Sequence, residues 1–225
     1  MSAAILLIWH VAYVEATFYG QRSRGIKGAS ERFDRPVPRA YPHAVPEPSF
    51  SRRVPEGDNR GRLVCDHCGF IDYVNPKLVV GAVCTWHEEI LVCRRDIAPR
   101  AGFWTLPAGF LEEAETTEEG AAREAREEAH ADIEVGALLG VFELPRISQV
   151  QLFYRARLRS RDVRAGEETR EVRLVPWAEI PWNELAFPTI AWALHAFDEV
   201  RHLESFSPRR NPPGNRGDMP PGARL

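Results

Sequence analysis

The chain has 225 residues, 44% of them hydrophobic and 27% charged, with a formal net charge of -3 at pH 7. This length and composition fit one globular domain of about 130 to 200 residues with extensions. The small negative charge provides no general attraction to nucleic acid, and no apolar run reaches the roughly 20 residues of a membrane-spanning helix. We therefore expect neither nucleic acid nor a membrane as a partner, and a homodimer is compatible with the sequence.

Both ends of the chain lack a periodic apolar pattern. The start, MSAAILLIWHVAYVEA, has no basic residue before its apolar stretch and no clear cleavage site, which argues against a signal peptide. Residues 21–60 are rich in Pro, Arg and Ser, so we expect 1–60 to be a disordered extension or the product of a misassigned start codon. The tail 207–225, rich in Pro, Gly and Arg, is also expected to be disordered.

Between these ends, apolar runs predict a series of strands. KLVVGAVCTW and EILVCRRD flank a predicted turn at 87–89, and VGALLGVFEL, QVQLFYRARLR and EVRLVPW follow a glutamate-rich segment. The alternation from Val150 to Leu158 predicts one core face and one mostly solvated face. A last helix is predicted from about Leu185 to Leu203. Strands on both sides of one helix, with a second helix at the end, indicate an α/β layered sandwich with a mixed sheet.

The glutamate-rich segment carries eight glutamates from Glu112 to Glu128. Thr116 with Glu119 three residues later is typical of a capping box, which predicts a helix that begins there and runs to about His130. So many like charges on one short helix should weaken it, because neighbouring carboxylates repel each other.

On this helix, Glu124, Glu127 and Glu128 fall within about a 100° arc of one face. Their repulsion is relieved if a cation lies among them, and Mg²⁺ or Mn²⁺ prefers such oxygen ligands together with water and substrate phosphates. The alternative is a solvated acidic helix without metal, which the charge pattern alone favours.

The spacing of the segment adds a second argument. Gly109, five residues, Glu115, seven residues and then REAREE at 123–128 resembles the Nudix box at all of its charged positions. One position departs, because the box has Gly where this chain has His130. A Gly there closes the helix in a left-handed conformation, which His adopts at a cost of about 1 kcal/mol.

The resemblance covers about residues 61–204. It implies a Nudix-like α/β/α sandwich with a mixed sheet at 76–206, preceded by a partial zinc-ribbon remnant at 61–75. The implied activity is metal-dependent hydrolysis of the diphosphate bond in a nucleoside diphosphate linked to another moiety, ADP-ribose or FAD, to give two phosphomonoesters. NADH is disfavoured, because FELPRISQVQLFYRARL stands where NADH pyrophosphatases have an SQPWPFP-type signature.

The resemblance also implies roles for individual residues. Glu124, Glu127 and Glu128 would ligate Mg²⁺ or Mn²⁺, with the Gly109 carbonyl as an extra ligand, while Arg123 and Glu115 would orient helix and loop through an ion pair. The general base stays open among Glu124, Glu167, Glu168 and Glu171.

Arginines and aromatic residues just before the box are candidates for substrate binding. Arg94, Arg95 and Arg100 could reach substrate phosphates. Trp104 and Phe103 could stack on a base or flavin ring, although an aromatic residue on a strand is more often core.

Two rival functions remain: a catalytically inactive Nudix-like nucleotide-binding regulator, and a zinc-ribbon binder of nucleic acid.

The four cysteines are too few for a disulfide framework in a chain of this length, which favours a reducing cytoplasm. Cys65 and Cys68 have the spacing of a zinc knuckle, but the residues upstream contain no second pair. We therefore expect no bound zinc, although His43 or His67 could complete a site. Cys84 and Cys93 fall in predicted core strands and are expected to be buried.

Overall fold

The computed structural model describes residues 49–217. Within this range no helix is both long and apolar enough to cross a membrane. The elements are strands β1 (Phe50–Arg53), β2 (Arg62–Cys65), β3 (Ile71–Asp72), β4 (Lys77–Trp86), β5 (Glu89–Arg95), β6 (Trp104–Thr105), β7 (Ala108–Phe110), β8 (Ile133–Leu144), β9 (Gln149–Leu158) and β10 (Thr169–Pro176), and helices α1 (Thr117–Ala129) and α2 (Pro188–Val200).

Seven strands form a mixed sheet in the order β10-β5-β4-β9-β8, with β6 paired to β5 and β7 paired to β4. The pairing of β4 with β9 is parallel, whereas the other pairs are antiparallel. Strand β4 lies in the middle because its residues are apolar on both faces. This topology confirms the predicted α/β fold with a mixed sheet.

The two helices cover opposite faces of the sheet. Ala121, Ala125 and Ala129 of α1 are fully buried with the strands on one face, and Leu194 of α2 packs on the other. Phe153 belongs to the α2 core and is 0% exposed, so the face of β9 predicted to be mostly solvated is buried at this position. On its face of the strand Phe153 lies between Gln151 and Arg155, and these polar neighbours concealed the second core.

Helix α1 begins and ends as its sequence predicts. The Thr116 hydroxyl accepts the Glu119 N–H, and the Glu119 carboxylate accepts the Thr116 N–H at 2.7 Å. His130 closes the helix in the left-handed region at φ 47°. Its N–H donates to the Arg126 carbonyl at 3.0 Å, so His fills the position that glycine takes in the Nudix box.

Helix α2 begins at Pro188, later than the predicted start at Leu185. Residues before the proline run along β6 instead: Leu185 forms a bridge with Trp104, and the Ala186 N–H donates to the Trp104 carbonyl at 2.7 Å. Proline at the first helical position favours this boundary, because it disfavours helical geometry in the residue before it.

A separate three-stranded antiparallel sheet, β1-β2-β3, precedes the main sheet. Strand β1 lies inside the segment expected to be an extension, so the boundary predicted at residue 60 is too late. Its order is not visible as an apolar pattern because it comes from pairing with β2 and from Asp58, whose carboxylate accepts the N–H groups of Asn59 and Arg60 and the Arg62 guanidinium. The rest of the predicted extension, 1–48, lies outside the described residues.

The first part of the predicted disordered tail is ordered. Arg209 pairs with the edge of β8, with its N–H donated to the Leu139 carbonyl at 2.8 Å and its carbonyl accepting the Val141 N–H at 2.9 Å. The Asn211 side chain exchanges two hydrogen bonds of 2.8 Å with the main chain of Glu143. Residues 207–217 therefore cover an open sheet edge, and 218–225 lie outside the described residues.

We expect Asn211→Ala to lower the free energy of unfolding by about 1 kcal/mol and the melting temperature by about 2–4 °C, because two main-chain groups of Glu143 lose their partner. Thermal unfolding followed by circular dichroism measures this. Arg210→Ala, at an exposed neighbouring position, is the matched control. Identical melting temperatures for the two variants would show that the tail does not stabilise the edge.

Candidate active site

The site forms where α1 lies against β7. Gly109 on β7 pairs with Val80 of β4, and a Cβ atom at Gly109 would overlap the Glu124 carboxyl group. Glycine is required there because helix and strand approach so closely. The result is that the Glu124 side chain is held over the β7 backbone and is only 8% exposed.

Arg123 is the main cation of the site. Its guanidinium donates to both carboxylate oxygens of Glu115 at 2.8 and 3.0 Å, to Glu124 at 2.7 Å and to Glu127 at 2.9 Å. It also donates to the Phe110 carbonyl at 2.9 Å. The hydrogen bonds from Arg123 hold the pKa of Glu115 below its ordinary value, so that Glu115 is an anion that ties the loop after β7 to the helix.

Glu128 occupies the most enclosed position among the glutamates. It is 8% exposed, and the Ala108 N–H donates to its carboxylate. Its other oxygen, Oε2, is buried and has no hydrogen-bond partner among residues 49–217. Burial, followed by the negative charge of Glu124, raises the pKa of Glu128 to about 8.

The three expected metal ligands do not share one orientation. Glu124 and Glu128 lie side by side and are buried, whereas the Glu127 side chain is 59% exposed and pairs with Arg123. Within residues 49–217, no group of three or more His, Cys, Asp or Glu side chains is arranged to hold a metal ion. Glu127 would have to change rotamer to join the buried pair.

The buried pair nevertheless fits a hard divalent cation. An enclosed carboxylate oxygen without a donor is costly unless a cation or a proton reaches it, and Glu128 Oε2 is such an atom. Carboxylate oxygens are the ligands that Mg²⁺ and Mn²⁺ prefer. The donor set of Glu124, Glu128 and the adjacent Gly109 is therefore chemically suited to either ion.

A loop after β9 brings another carboxylate toward this pair. The Gly166 N–H donates to the Glu128 carbonyl at 3.0 Å, and a Cβ atom at Gly166 would overlap the Glu127 carbonyl. After burial, the charge of nearby Glu168 contributes to the raised pKa values of Glu124 and Glu128. Glu171 is used elsewhere, in ion pairs with Arg94 and Arg173.

The three arginines proposed for phosphate binding are separated. Arg95 lies close enough to Glu128 for its charge to oppose the raised pKa of that carboxyl, of which burial is the main cause. Arg94 contacts Trp104 and Glu171. Arg100 donates to the Ala186 carbonyl at 3.1 Å. Of these arginines, Arg95 is the one whose charge acts on Glu128, while its guanidinium donates to the Pro99 carbonyl at 2.9 Å and lies 5.4 Å from the ring centre of Phe187.

Of the two aromatic residues proposed for stacking, one is enclosed in the core and the other has an arginine against its ring. Trp104 is 3% exposed, with the guanidinium groups of Arg94 and Arg173 at 5.8 and 4.9 Å from its ring centre. The Arg100 guanidinium lies 3.5 Å from the ring centre of Phe103. The prediction that Trp104 binds substrate is therefore wrong in this structure, because the ring belongs to the core around α2.

Two further contacts of the site had no signal in the sequence. The Ala108 N–H that donates to Glu128 is a main-chain group, and residue type does not reveal its direction. The Thr117 hydroxyl lies 2.6 Å from the Tyr154 hydroxyl and ties the start of α1 to β9. Both contacts depend on how closely the helix lies on the sheet.

Two segments of the chain match known protein families. Residues 75–193 match the NUDIX domain, and residues 48–74 match the family described as Nudix N-terminal, a zinc ribbon. The first match covers more than half of the chain. The second coincides with the β1-β2-β3 sheet, so the ribbon is larger than the predicted remnant at 61–75.

Individual relatives agree with this placement. A NUDIX hydrolase of known structure from Nitrosomonas europaea is 45% identical, with a TM-score of 0.69, over 72% of this chain and 93% of that one. An ADP-ribose pyrophosphatase of Methanocaldococcus jannaschii is 29% identical over 51% of this chain and 69% of its own length. An NAD-capped RNA hydrolase of Haemophilus influenzae is 39% identical over 72 residues, only 27% of its length.

The domain match, together with the fold and the box helix, shows that the chain belongs to the Nudix family. It is a Nudix-type pyrophosphohydrolase.

The enclosed carboxyl of Glu128 predicts a pH effect on stability in metal-free buffer. The folded protein keeps a proton on Glu128 up to about pH 8, whereas the unfolded chain releases it near 4.5. The free energy of unfolding of the native chain should therefore fall as pH rises through this window. The fall should be steeper than in Glu128→Gln by roughly 1.4 kcal/mol per pH unit. Urea unfolding with EDTA at several pH values between 5 and 8 tests this.

The matched control is Glu118→Gln, an exposed glutamate of the same helix, whose pH dependence should follow the native chain. Added Mg²⁺ should stabilise the native chain and leave Glu128→Gln unaffected. Parallel pH curves for the native chain and Glu128→Gln would mean that Glu128 is not held as an enclosed acid.

Proposed function

We propose that this enzyme hydrolyses the diphosphate bond of a nucleoside diphosphate linked to another moiety, with Mg²⁺ or Mn²⁺ as cofactor and ADP-ribose or FAD as the substrate. The observation that carries this proposal is the enclosed pair of Glu124 and Glu128 beside Gly109, with one carboxylate oxygen left without a donor. A cation held by these carboxylates would also bind the negatively charged oxygens of a diphosphate.

In this proposal Glu124, Glu127, Glu128 and Gly109 hold the cation. When bound, the cation neutralises charge on the diphosphate oxygens and activates water as a nucleophile. Arg123 and Glu115 hold helix α1 and the loop after β7 in a fixed relative position, because the Arg123 guanidinium donates to Glu115, Glu124 and the Phe110 carbonyl. Glu127 is exposed and held by Arg123, so its carboxylate can rotate toward the buried pair.

Two further residues receive roles from their position. Arg95 lies near Glu128 and is the arginine that we assign to a substrate phosphate. Glu168 is the general base that we favour, because its loop packs on the end of α1 and its charge is felt by both buried glutamates. Glu171 is less suitable as a base, since it is already paired with two arginines.

The substrate assignment rests on two supports. The relative from Methanocaldococcus jannaschii is named an ADP-ribose pyrophosphatase and matches over 119 residues. The sequence after the box lacks the NADH-type signature. The rival function, a nucleotide-binding regulator without hydrolysis, lacks support from the residues, because all three glutamates of the box are present.

The proposed compartment is the cytoplasm. Within the described residues Cys65, Cys68, Cys84 and Cys93 are all free thiols, which suits a reducing environment. A homodimer and the absence of nucleic-acid partners stay predictions.

A screen of ADP-ribose, FAD, NADH and nucleotide sugars with Mg²⁺ and with Mn²⁺ should give turnover, highest with ADP-ribose or FAD. With the best substrate, Glu127→Gln and Glu128→Gln should each lower kcat by at least about 10²-fold, because the cation is no longer held. Glu118→Gln serves as the control and should keep native turnover. Binding without hydrolysis in the native chain would favour the regulator instead.

Glu168→Gln should lower kcat by at least about 10²-fold and change KM little, because a proton acceptor is lost while the substrate contacts remain. Glu167→Gln is the control for the same loop, with the preceding carboxylate removed. If both variants retain native kcat, the base is not Glu168. A loss in Glu167→Gln alone would move the assignment to the neighbouring residue.

A further inference from the structure

The β1-β2-β3 sheet matches a zinc-ribbon family, yet its residues do not supply a zinc site. A structural zinc ion takes four Cys or His ligands. The whole chain has four cysteines, and two of them, Cys84 and Cys93, are 0% exposed in β4 and β5. One chain therefore cannot offer four thiolates, and His, Cys, Asp and Glu side chains form no set of three or more metal ligands in the described part of the chain.

The ribbon is held together by bonds that need no metal. Four residue pairs join β1 to β2, from Phe50 with Cys65 to Arg53 with Arg62. The connecting turn is closed by Asp58, whose carboxylate accepts the Arg62 guanidinium at 2.9 Å. These contacts join β1 to β2 through protein groups alone.

Cys65 and Cys68 face each other across a tight turn. The Cys65 N–H donates to the Phe70 carbonyl at 2.8 Å, and the Gly69 N–H donates to the Cys65 carbonyl at 2.9 Å. Gly69 allows the turn because it has a positive φ of 77°. The N–H groups of Cys68 and His67 and the Cys68 thiol all make hydrogen bonds with the Cys65 sulfur, so the two sulfur atoms are neighbours.

The two thiols differ in access to solvent. Cys65 is 3% exposed, whereas Cys68 is exposed. This is the arrangement that thiol–disulfide exchange needs, with an exposed thiol for attack and a protected neighbour that resolves the mixed disulfide.

We propose that Cys65 and Cys68 form a reversible dithiol–disulfide pair that exchanges with low-molecular-weight disulfides and closes the β2–β3 turn covalently. The exposed Cys68 thiolate attacks one sulfur of the disulfide RSSR, which forms a mixed disulfide on Cys68 and releases RS⁻. The Cys65 thiolate then attacks the Cys68 sulfur and expels the second RS⁻. The dithiol is oxidised by two electrons, and RSSR is reduced to two thiols.

Incubation of the full-length protein with oxidised glutathione, followed by intact mass spectrometry, tests the proposal. The native chain should lose two hydrogen atoms, about 2 Da, without a lasting adduct. Cys65→Ser should accumulate one glutathione on Cys68, because no thiol is left to resolve it. Cys68→Ser should react at least about tenfold more slowly, since the remaining ribbon thiol is buried.

Cys84→Ser is the control, and it should behave like the native chain because Cys84 is enclosed in the sheet. The purified protein should also contain far less than one zinc per chain by elemental analysis, and a zinc chelator should leave its melting temperature unchanged. Stoichiometric zinc that is lost in Cys65→Ser would overturn the proposal. A stable glutathione adduct on the native chain would also overturn it, because Cys65 would then fail to resolve the adduct.

Discussion

Helix α1 lies against β4 and β7 at a distance that only small residues allow. Gly109 has no room for a Cβ atom beside Glu124, and a Cβ atom at Gly120 would come within 2.9 Å of Val80. Fully buried alanines complete the contact. This close approach removes Glu124 and Glu128 from water. The chemistry of the site follows from that packing, because the same carboxylates on an exposed helix would be ordinary solvated acids.

The packing also explains how one helix tolerates so many glutamates. Arg123 supplies a positive charge to three of them, and Glu119 is used in the helix cap. Glu128 is the exception, since in the described part of the chain it receives one N–H and no cation within hydrogen-bonding distance. Glu128 is therefore the least compensated carboxyl group of the helix, which is why burial raises its pKa.

The parts outside the sandwich are held mainly by main-chain and polar hydrogen bonds. The ribbon depends on strand pairing and on Asp58, and the tail depends on Arg209 and Asn211 at the edge of β8. Such contacts contribute little burial of apolar surface, so composition and hydrophobic period do not report them. The fold of the ribbon therefore rests, within residues 49–217, on contacts between protein groups.

The sequence by itself determined the family, the mixed α/β fold, the limits of α1 and its cap, and the positions of the box glutamates, because these depend on local spacing and on helical period. Tertiary structure decided which carboxylates are enclosed, that Arg94 pairs with Glu171, and that Trp104 is core. It also decided that 50–60 and 207–217 are ordered. These features depend on contacts between residues that are distant in the sequence. The burial of a side chain and the direction of a hydrogen bond at such contacts produce no periodic pattern of apolar residues, so the sequence does not predict them.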